Sequence, residues 1–311
     1  MKVIVVGGGW AGCAASLSAL KQGAEVVLIE RTDMLLGTGL VGGIMRNNGR
    51  FTAAEEMIAM SGGELFELID QNCLHCNIDF PGHHHASLYN VATMEPLVKK
   101  LLLSKTLNLH LSTRMEEVEM EGNQIKACQQ YALPEFEENL ILLDTGHAKL
   151  MVPFFPLEVL RRVPGCENAR YEDPYAGGLG NSIRYIGMSP REDSLKVKGV
   201  ENLFCAGEKA GLLVGHTEAI VTGTLAGHNA VKYIRKEKPL LLPTNLAVGD
   251  AITYVRRQME TEEGLGYKYT FSGSIYFDRM KQRGLYTTDI KEIERRVEES
   301  GMTEIFSQRS Y

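Results

Sequence analysis

Lys2-Val3-Ile4-Val5-Val6-Gly7-Gly8-Gly9-Trp10-Ala11-Gly12, followed by an Ala-, Leu- and Ser-rich stretch from Cys13 to Gln22, reads as strand, glycine turn and helix. A second apolar run, Glu25-Val26-Val27-Leu28-Ile29, closes on Glu30, eighteen residues after Gly12. Together they predict a βαβ unit. Gly7 serves the tight turn, Gly9 lets backbone approach a pyrophosphate, and Gly12 lets the helix pack closely on the strand. The helix start carries unpaired N–H groups and a partial positive charge, which favour an anion. Glu30, with Arg31 beside it, is placed to accept hydrogen bonds from ribose hydroxyls. A glycine turn alone is weak, because such turns also arise for packing, but here strand, helix, second strand and terminal acid fall in register. A dinucleotide site is the expectation, and an acid at position 30 disfavours a 2'-phosphate, leaving FAD or NAD ahead of NADP.

Further along, Val200-Glu201-Asn202-Leu203-Phe204-Cys205-Ala206-Gly207-Glu208 has the pattern of a buried strand ending in Gly and an acid. Gly211 to Gly215 follows, and His216-Thr217-Glu218-Ala219 opens a helix predicted to reach about Ile234. On that helix Ile220, Val221, Leu225 and Val231 are apolar, while Gly223, Ala226 and Gly227 would admit another backbone. An ordinary strand and helix of an α/β core would look similar. The arrangement resembles the second flavin-contacting segment of the glutathione-reductase-like FAD proteins. That resemblance implies that Glu208 reaches the ribityl or phosphate region, and that the helix start, capped by Thr217 or His216, faces the flavin ring. A helix from Thr93 through Leu103 and a strand over Leu107 to Met115 resemble the adenine side, with backbone near Met115 passing the adenine. No second strand, glycine turn and helix fingerprint occurs, since the glycine spacing at Gly37 to Gly42 follows no apolar strand run. A separate nicotinamide domain is therefore not expected, and NAD(P)H would act only as a transient donor.

Gly39-Leu40-Val41-Gly42-Gly43-Ile44, Leu203 to Glu208, Thr217-Glu218-Ala219 and Leu225-Ala226-Gly227-His228-Asn229-Ala230 carry a wider likeness. Over Lys2 to about Gly63, His83 to Ala127 and Val200 to Tyr233, the chain is similar to FAD-dependent oxidoreductases related to the glucose-inhibited division protein A and the folate-dependent tRNA uracil methyltransferases. The resemblance implies cofactor contacts at Gly7, Gly9, Trp10, Ala11, Gly12, Glu30 and Arg31 in the first segment. It adds Gly37, Thr38, Leu40 and Met115, then Gly207, Glu208, Gly215, His216 and Thr217. The tRNA-modifying members carry a cysteine just before or within the stretch matching Gly37 to Asn48, and none stands here. Their activity is not carried over, and the long C-terminal helical region of the division-protein type is not expected. The predicted architecture is α/β: a Rossmann-like FAD-binding domain with a parallel sheet over 1–50, 90–130 and 196–236, a substrate or cap region over 51–89 and 131–195, and a helical tail over 237–311.

Other residues have chemical potential. Cys73-Leu74-His75-Cys76 has the spacing of a redox dithiol and follows a helix expected over Thr52 to Asp70; incidental loop or core cysteines are the alternative. Cys13 and Cys205 fall in packed elements. His83-His84-His85, read as a loop, offers an acid, a base or a substrate contact, with His84 as the candidate. Arg46-Asn47-Asn48-Gly49-Arg50 is a cationic stretch near the expected flavin ring, where Arg46 could bind a substrate anion. Within Tyr175 to Tyr185, Arg184 could clamp a carboxylate or phosphate. Asp144-Thr145-Gly146-His147 resembles a third flavin strand or belongs to the substrate region. The piece from Cys128 to Glu138 is short and charged for the strands expected before that Thr-Gly, so either the domain is economical or a segment is absent near 129–131.

The chain has 311 residues, 33 Lys plus Arg against 39 Asp plus Glu, a net charge of -6 and 44% hydrophobic residues. These figures exclude low-complexity disorder and predict a sizeable core. No apolar run nears the roughly 18 residues that cross a bilayer. Six scattered cysteines suit reduced thiols, and a cytoplasmic protein without a membrane partner or a metal is expected. The acidic balance argues against nucleic acid. Helices over Leu246 to Met259 and Asp289 to Val297 could cover the substrate face or form a homodimer arm. The function expected is transfer of hydride or electron pairs between FAD and a small-molecule or protein partner. The alternatives are a flavin- and folate-dependent tRNA-modifying enzyme and an FAD-binding interaction module without catalysis.

Overall fold

The computed structural model describes residues 1–40, 43–131, 162, 188–265 and 267–307. Strand β1 (Lys2–Val6), helix α1 (Trp10–Lys21) and strand β2 (Glu25–Ile29) are the expected βαβ unit, with β1 and β2 parallel from Lys2 opposite Glu25 to Val6 opposite Ile29. After β2 come a turn at Gly37 to Leu40, strand β3 (Ile44–Met45), helix α2 (Gly49–Ala59) and helix α3 (Glu64–Gln71). Strands β4 (Cys73–Phe80) and β5 (His83–Tyr89), helix α4 (Val91–Ser104) and strand β6 (Asn108–His110) follow. Strand β6 lies parallel to β2, giving the order β1-β2-β6, and β3-β5-β4 form a separate antiparallel sheet. Strands β7 (Arg114–Glu121) and β8 (Gln124–Tyr131) make a hairpin.

Beyond it lie helix α5 (His216–Ile234), α6 (Ala247–Gln258), the short α7 (Glu262–Leu265), α8 (Ser274–Gln282) and α9 (Ile290–Glu299). The C-terminal part packs into the same apolar core as the opening unit: Cys13, Leu17 and Leu28 share it with Tyr276, Val297 and Phe306. Backbone bonds lock it there. Glu304 N donates to Ala59 O at 3.2 Å and Phe306 N to Met60 O at 3.1 Å. Among the described residues no helix is long and apolar enough to cross a membrane.

Four expectations are corrected. The helix expected over Thr52 to Asp70 is two helices, broken at Ser61, whose φ of 60° is left-handed, and at Gly63, where a Cβ would lie 2.4 Å from Ile58 Cγ1. The His83-His84-His85 loop is instead the start of β5, because the turn at Phe80 to His83 folds two extended runs into a hairpin. The strand expected over 200–206 reduces to one bridge, Lys196 with Phe204, followed by a tight helical turn at Gly207 to Ala210. Asn202 explains part of this: its side chain pairs with both backbone groups of Ile125, tying the segment to the β7–β8 turn. Lastly, Cys73 and Cys76 form a disulfide, so reduced thiols do not hold throughout; their two-residue spacing brings the sulfurs together at the head of β4. Arg184, the Tyr175 to Tyr185 stretch, Asp144 to His147, and the cap region beyond residue 131 lie outside the described residues, apart from Arg162 and the stretch from 188 onward.

Candidate functional site

Gly9 is the N-cap of α1 and offers no side-chain cap, so the first-turn N–H groups face outward. A Cβ on Gly9 would meet nothing within 4 Å, whereas one on Gly12 would sit 1.8 Å from Gly7 O. The first glycine leaves room over the helix start, and the last lets the helix press on the turn. Gly7 itself needs glycine, with φ at 99°. The Glu30 carboxylate lies across this turn: Oε2 accepts the Gly8 N–H at 2.5 Å, and Oε1 accepts from Thr32 N at 2.9 Å and Thr32 Oγ1 at 3.0 Å. Arg31 is exposed beside it. Thr113 N donates to Glu30 O at 2.9 Å, which brings the start of β7, and with it Met115, to the same edge.

Helix α5 supplies the second N-terminus. A Cβ at Gly223 would lie 2.2 Å from Ala11 O, and one at Gly227 would lie 2.2 Å from Ala15 O. Equal steps along both helices mean that they run parallel in backbone contact. Because α5 starts at His216 and α1 at Trp10, the start of α5 projects about six residues, or roughly 9 Å, past that of α1. Gly215 caps α5 with φ at 144° and no side chain. Thr217 and His216 therefore do not cap the helix; Thr217 Oγ1 instead lies 3.2 Å from Met45 Sδ, and both side chains lean toward neighbouring elements. Gly207 N donates to Thr222 Oγ1 at 2.8 Å, placing Gly207 and Glu208 between the two helix starts.

Trp10, 2% exposed, closes the floor between them. Its Nε1 donates to Gly39 O at 2.9 Å, and the Tyr89 hydroxyl donates to the same oxygen at 3.0 Å. The Trp10 ring meets Tyr89 edge-on with centroids 5.9 Å apart and lies 6.3 Å from the His216 ring. Burial pushes the Tyr89 phenol up to about 12. Gly37, Thr38 and Leu40 belong to the adjoining turn. Along this wall Leu36, Arg46 and Asn48 hold left-handed φ angles of 65°, 65° and 54°, conformations that non-glycine residues keep only where the surroundings impose them.

A buried polar network fixes the start of α5. Glu218 is fully buried and accepts from Arg50 Nε at 3.1 Å, Thr270 Oγ1 at 2.6 Å and Phe271 N at 2.8 Å. Arg50 Nη1 reaches Asn47 Oδ1 at 3.0 Å, and Asn47 Nδ2 lies 2.8 Å from His83 Nδ1. Asn48 ties the same turn to β5 by accepting His84 N at 2.9 Å, and to the C-terminal part by donating to Ser272 O at 2.7 Å.

Some candidates are not brought together. Arg46 is buried between Glu55 at 2.6 Å and Asp70 at 2.8 Å, so its charge is already met and a substrate anion would have to displace a carboxylate. Burial raises the Asp70 carboxyl, opposed by Arg46. His84 is exposed and pairs with Asp79 at 3.3 Å; its neighbour His83, not His84, turns toward Asn47. Asp79, an exposed group, is held below the usual carboxylate range by the His85 N–H. Cys73 is half-buried and Cys76 exposed in β4. Cys13 and Cys205 are buried thiols, donating toward Gly8 O at 3.3 Å and Leu195 O at 3.6 Å, and burial pushes Cys205 up to about 11. Tyr89 and the Thr270-Phe271-Ser272 segment were not legible as site residues. Tyr89 offered only its place at a strand end, and the tail segment carries no periodic or motif signal.

Comparison with known proteins extends this picture. Residues 2–137 match the FAD dependent oxidoreductase family, and residues 151–238 match the glucose inhibited division protein A family. A tRNA uridine 5-carboxymethylaminomethyl modification enzyme of Desulfotalea psychrophila is 36% identical over 91 residues, 29% of this chain and 13% of that protein. A methylenetetrahydrofolate–tRNA-(uracil-5-)-methyltransferase of Bacillus cytotoxicus is 33% identical over 101 residues, 32% of this chain and 22% of that protein. The matched stretches thus span less than a quarter of these relatives' length. The solved structure of Aquifex aeolicus GidA superposes on 96% of this chain and 76% of its own, with a TM-score of 0.58 at 14% identity, a likeness of fold.

Proposed function

Since the chain is a relative of the FAD dependent oxidoreductases in the glucose inhibited division protein A group, with FAD as its cofactor, we propose that it holds one FAD between the starts of α1 and α5. It passes electron pairs between that FAD and a small-molecule or protein partner. When bound, the flavin supplies two-electron redox chemistry. The N–H groups over Gly9, Trp10 and Ala11 take the diphosphate, Glu30 the adenosine ribose, and backbone at Met115 the adenine. Gly207 and Glu208 face the linking polyol, and the N–H groups from Gly215 to Thr217 face the ring edge where negative charge develops on reduction. Arg50 and Glu218 position that helix start. Trp10 excludes water beneath it.

The observation that carries this reading is the parallel α1–α5 pair with two uncapped N-termini staggered by roughly 9 Å. That separation suits a diphosphate at one end and a ring joined through a short polyol at the other. Visible flavin absorption in the purified protein, bleached anaerobically by NADH or NADPH, tests it. Gly9→Val, whose Cβ would have no protein atom within 4 Å, is expected to cut FAD affinity at least about tenfold while leaving urea unfolding unchanged. A colourless protein that takes up no FAD overturns the reading. Bound flavin that no donor reduces would favour a structural cofactor.

A second reading, tRNA modification with reduced flavin and folate, is favoured by the two curated relatives. Against it stand the net charge of -6 and the lack of a cysteine between Gly37 and Asn48. Binding to tRNA that weakens steeply as salt rises would support it; no binding at low salt would reject it.

A further inference from the structure

The Cys73–Cys76 disulfide does little to hold the fold. It encloses only Leu74 and His75, both exposed, and the constraint a disulfide places on the unfolded chain is smallest for the shortest loops. It also disturbs its own strand. Cys73 pairs with Tyr89, His75 with Leu88 and Ile78 with Ala86, with a register shift at each step, and Asn77 is left-handed at φ 52°. Cys13 and Cys205, by contrast, are free and buried. A bond that is accessible, short-looped and set against its own sheet has the character of one made to be opened.

The two sulfurs are not equivalent. Cys73 is half-buried, and its Sγ lies 3.2 Å from Asp70 O in the last turn of α3, the negative end of that helix, which disfavours a thiolate. Cys76 is exposed and lies farther from the same oxygen, at 4.0 Å. Cys76 is the sulfur that an incoming thiolate reaches.

We propose that Cys73–Cys76 is a redox centre in its own right, which accepts an electron pair from a dithiol reductant. A thiolate of the reductant attacks Cys76 Sγ; the S–S bond breaks, and a mixed disulfide forms as Cys73 leaves and takes up a proton. The reductant's second thiol then attacks the mixed disulfide, loses its proton and releases Cys76, which is protonated in turn. The reductant leaves as a disulfide, two electrons and two protons poorer, and the protein gains both. The state of the pair is transmitted along β5. Tyr89, directly opposite Cys73, shares the Gly39 carbonyl with Trp10, and His83 and His84 on the same strand hold Asn47 and Asn48.

The test uses native full-length protein, with alkylation sites mapped by peptide mass, before and after dithiothreitol without denaturant. Trp10 is the chain's single tryptophan, so its emission reports the β5 end. Before reductant, Cys73 and Cys76 stay unlabelled; after it both are alkylated while Cys13 and Cys205 are not, and Trp10 emission shifts in step. In Cys76→Ser the emission does not respond to reductant. In Cys73→Ser the remaining Cys76 takes up one glutathione from oxidised glutathione, at least about tenfold faster than Cys73 does in Cys76→Ser. Labelling of both cysteines before any reductant, labelling only after denaturation, equal glutathione rates or an unmoved Trp10 emission would each overturn the proposal.

Discussion

Glu56 is fully buried, and its carboxylate accepts the N–H groups of Ala247 at 2.8 Å and Val248 at 3.0 Å, capping α6 from a helix nearly two hundred residues earlier in the chain. Burial pushes its pKa up to about 7 against an ordinary 4.5, opposed by those two N–H groups and by Arg296. The folded state therefore binds this proton more tightly than the unfolded chain. The stabilisation is fully present below about pH 4.5 and is lost as the pH rises to about 7. Urea unfolding should show Glu56→Gln gaining on the parent between pH 5 and pH 7.5; a constant difference would contradict the assignment. Arg50 presents the complementary case, since Arg50→Ala would leave the buried Glu218 charge without its cation and is expected to cost about 3–5 kcal/mol in the same assay. Trp10 gives a third readout: FAD docked over its ring should quench the only tryptophan emission, and an unchanged spectrum on saturation with FAD would place the flavin elsewhere. Arg50 and Glu218 each stood inside a motif that could be read, but that they meet could not. Sequence spacing of 168 residues carries no trace of a contact that only tertiary packing creates.

At the scale of elements, what could be read had local causes. The βαβ unit and the helix from His216 to Ile234 followed from apolar period, glycine placement and a terminal acid; the two strands and the later helix appear with the expected bounds, while α1 starts at Trp10, three residues before the expected Cys13. The small residues of that helix were readable as a close-packing face, and their partner is now visible as α1. Gly223→Ala would drive a methyl to 2.2 Å from Ala11 O, and the helices would have to part. A loss of about 1–3 kcal/mol is expected by urea unfolding, together with weaker FAD retention; a neutral substitution would mean that the helices do not touch there. Elements with long-range causes were missed. The run over 200–206 has strand composition but finds its partner in a turn, through Asn202 and Ile125, and the break at Ser61 to Gly63 is set by α3 folding back on Ile58. Helix α8 gave no apolar signal strong enough to read, because Tyr276 and Met280 bury one narrow stripe amid charged neighbours.

Across the whole molecule the C-terminal part is woven into the opening unit. Ile293, Val297 and Phe306 are buried, Gln22 Nε2 donates to Phe306 O at 2.9 Å, and Thr270 and Phe271 reach Glu218. Each of those three apolar side chains contributes about 1.5–3 kcal/mol, and a protein's entire margin is about 5–15 kcal/mol. Deleting 288–307 should therefore yield a chain that trypsin digests throughout. Survival of a resistant core over 1–238 would show that the tail is an accessory. The outer side of β1 is different in kind: Ile4 and Val6 are 45% and 52% exposed, an apolar strip on the strand that ends the described β1-β2-β6 order.

The contact of Gly223 and Gly227 with Ala11 and Ala15 also sets a timetable. During synthesis the glycine turn emerges first, and its companion helix follows some two hundred residues later, a delay on the order of 10–40 s at about 5–20 residues per second. Through that interval α1 is made without the surface it is shaped to meet. Nascent chains halted before residue 216 should remain bound to holdase chaperones and retain no flavin, whereas chains halted well beyond the tail should release them.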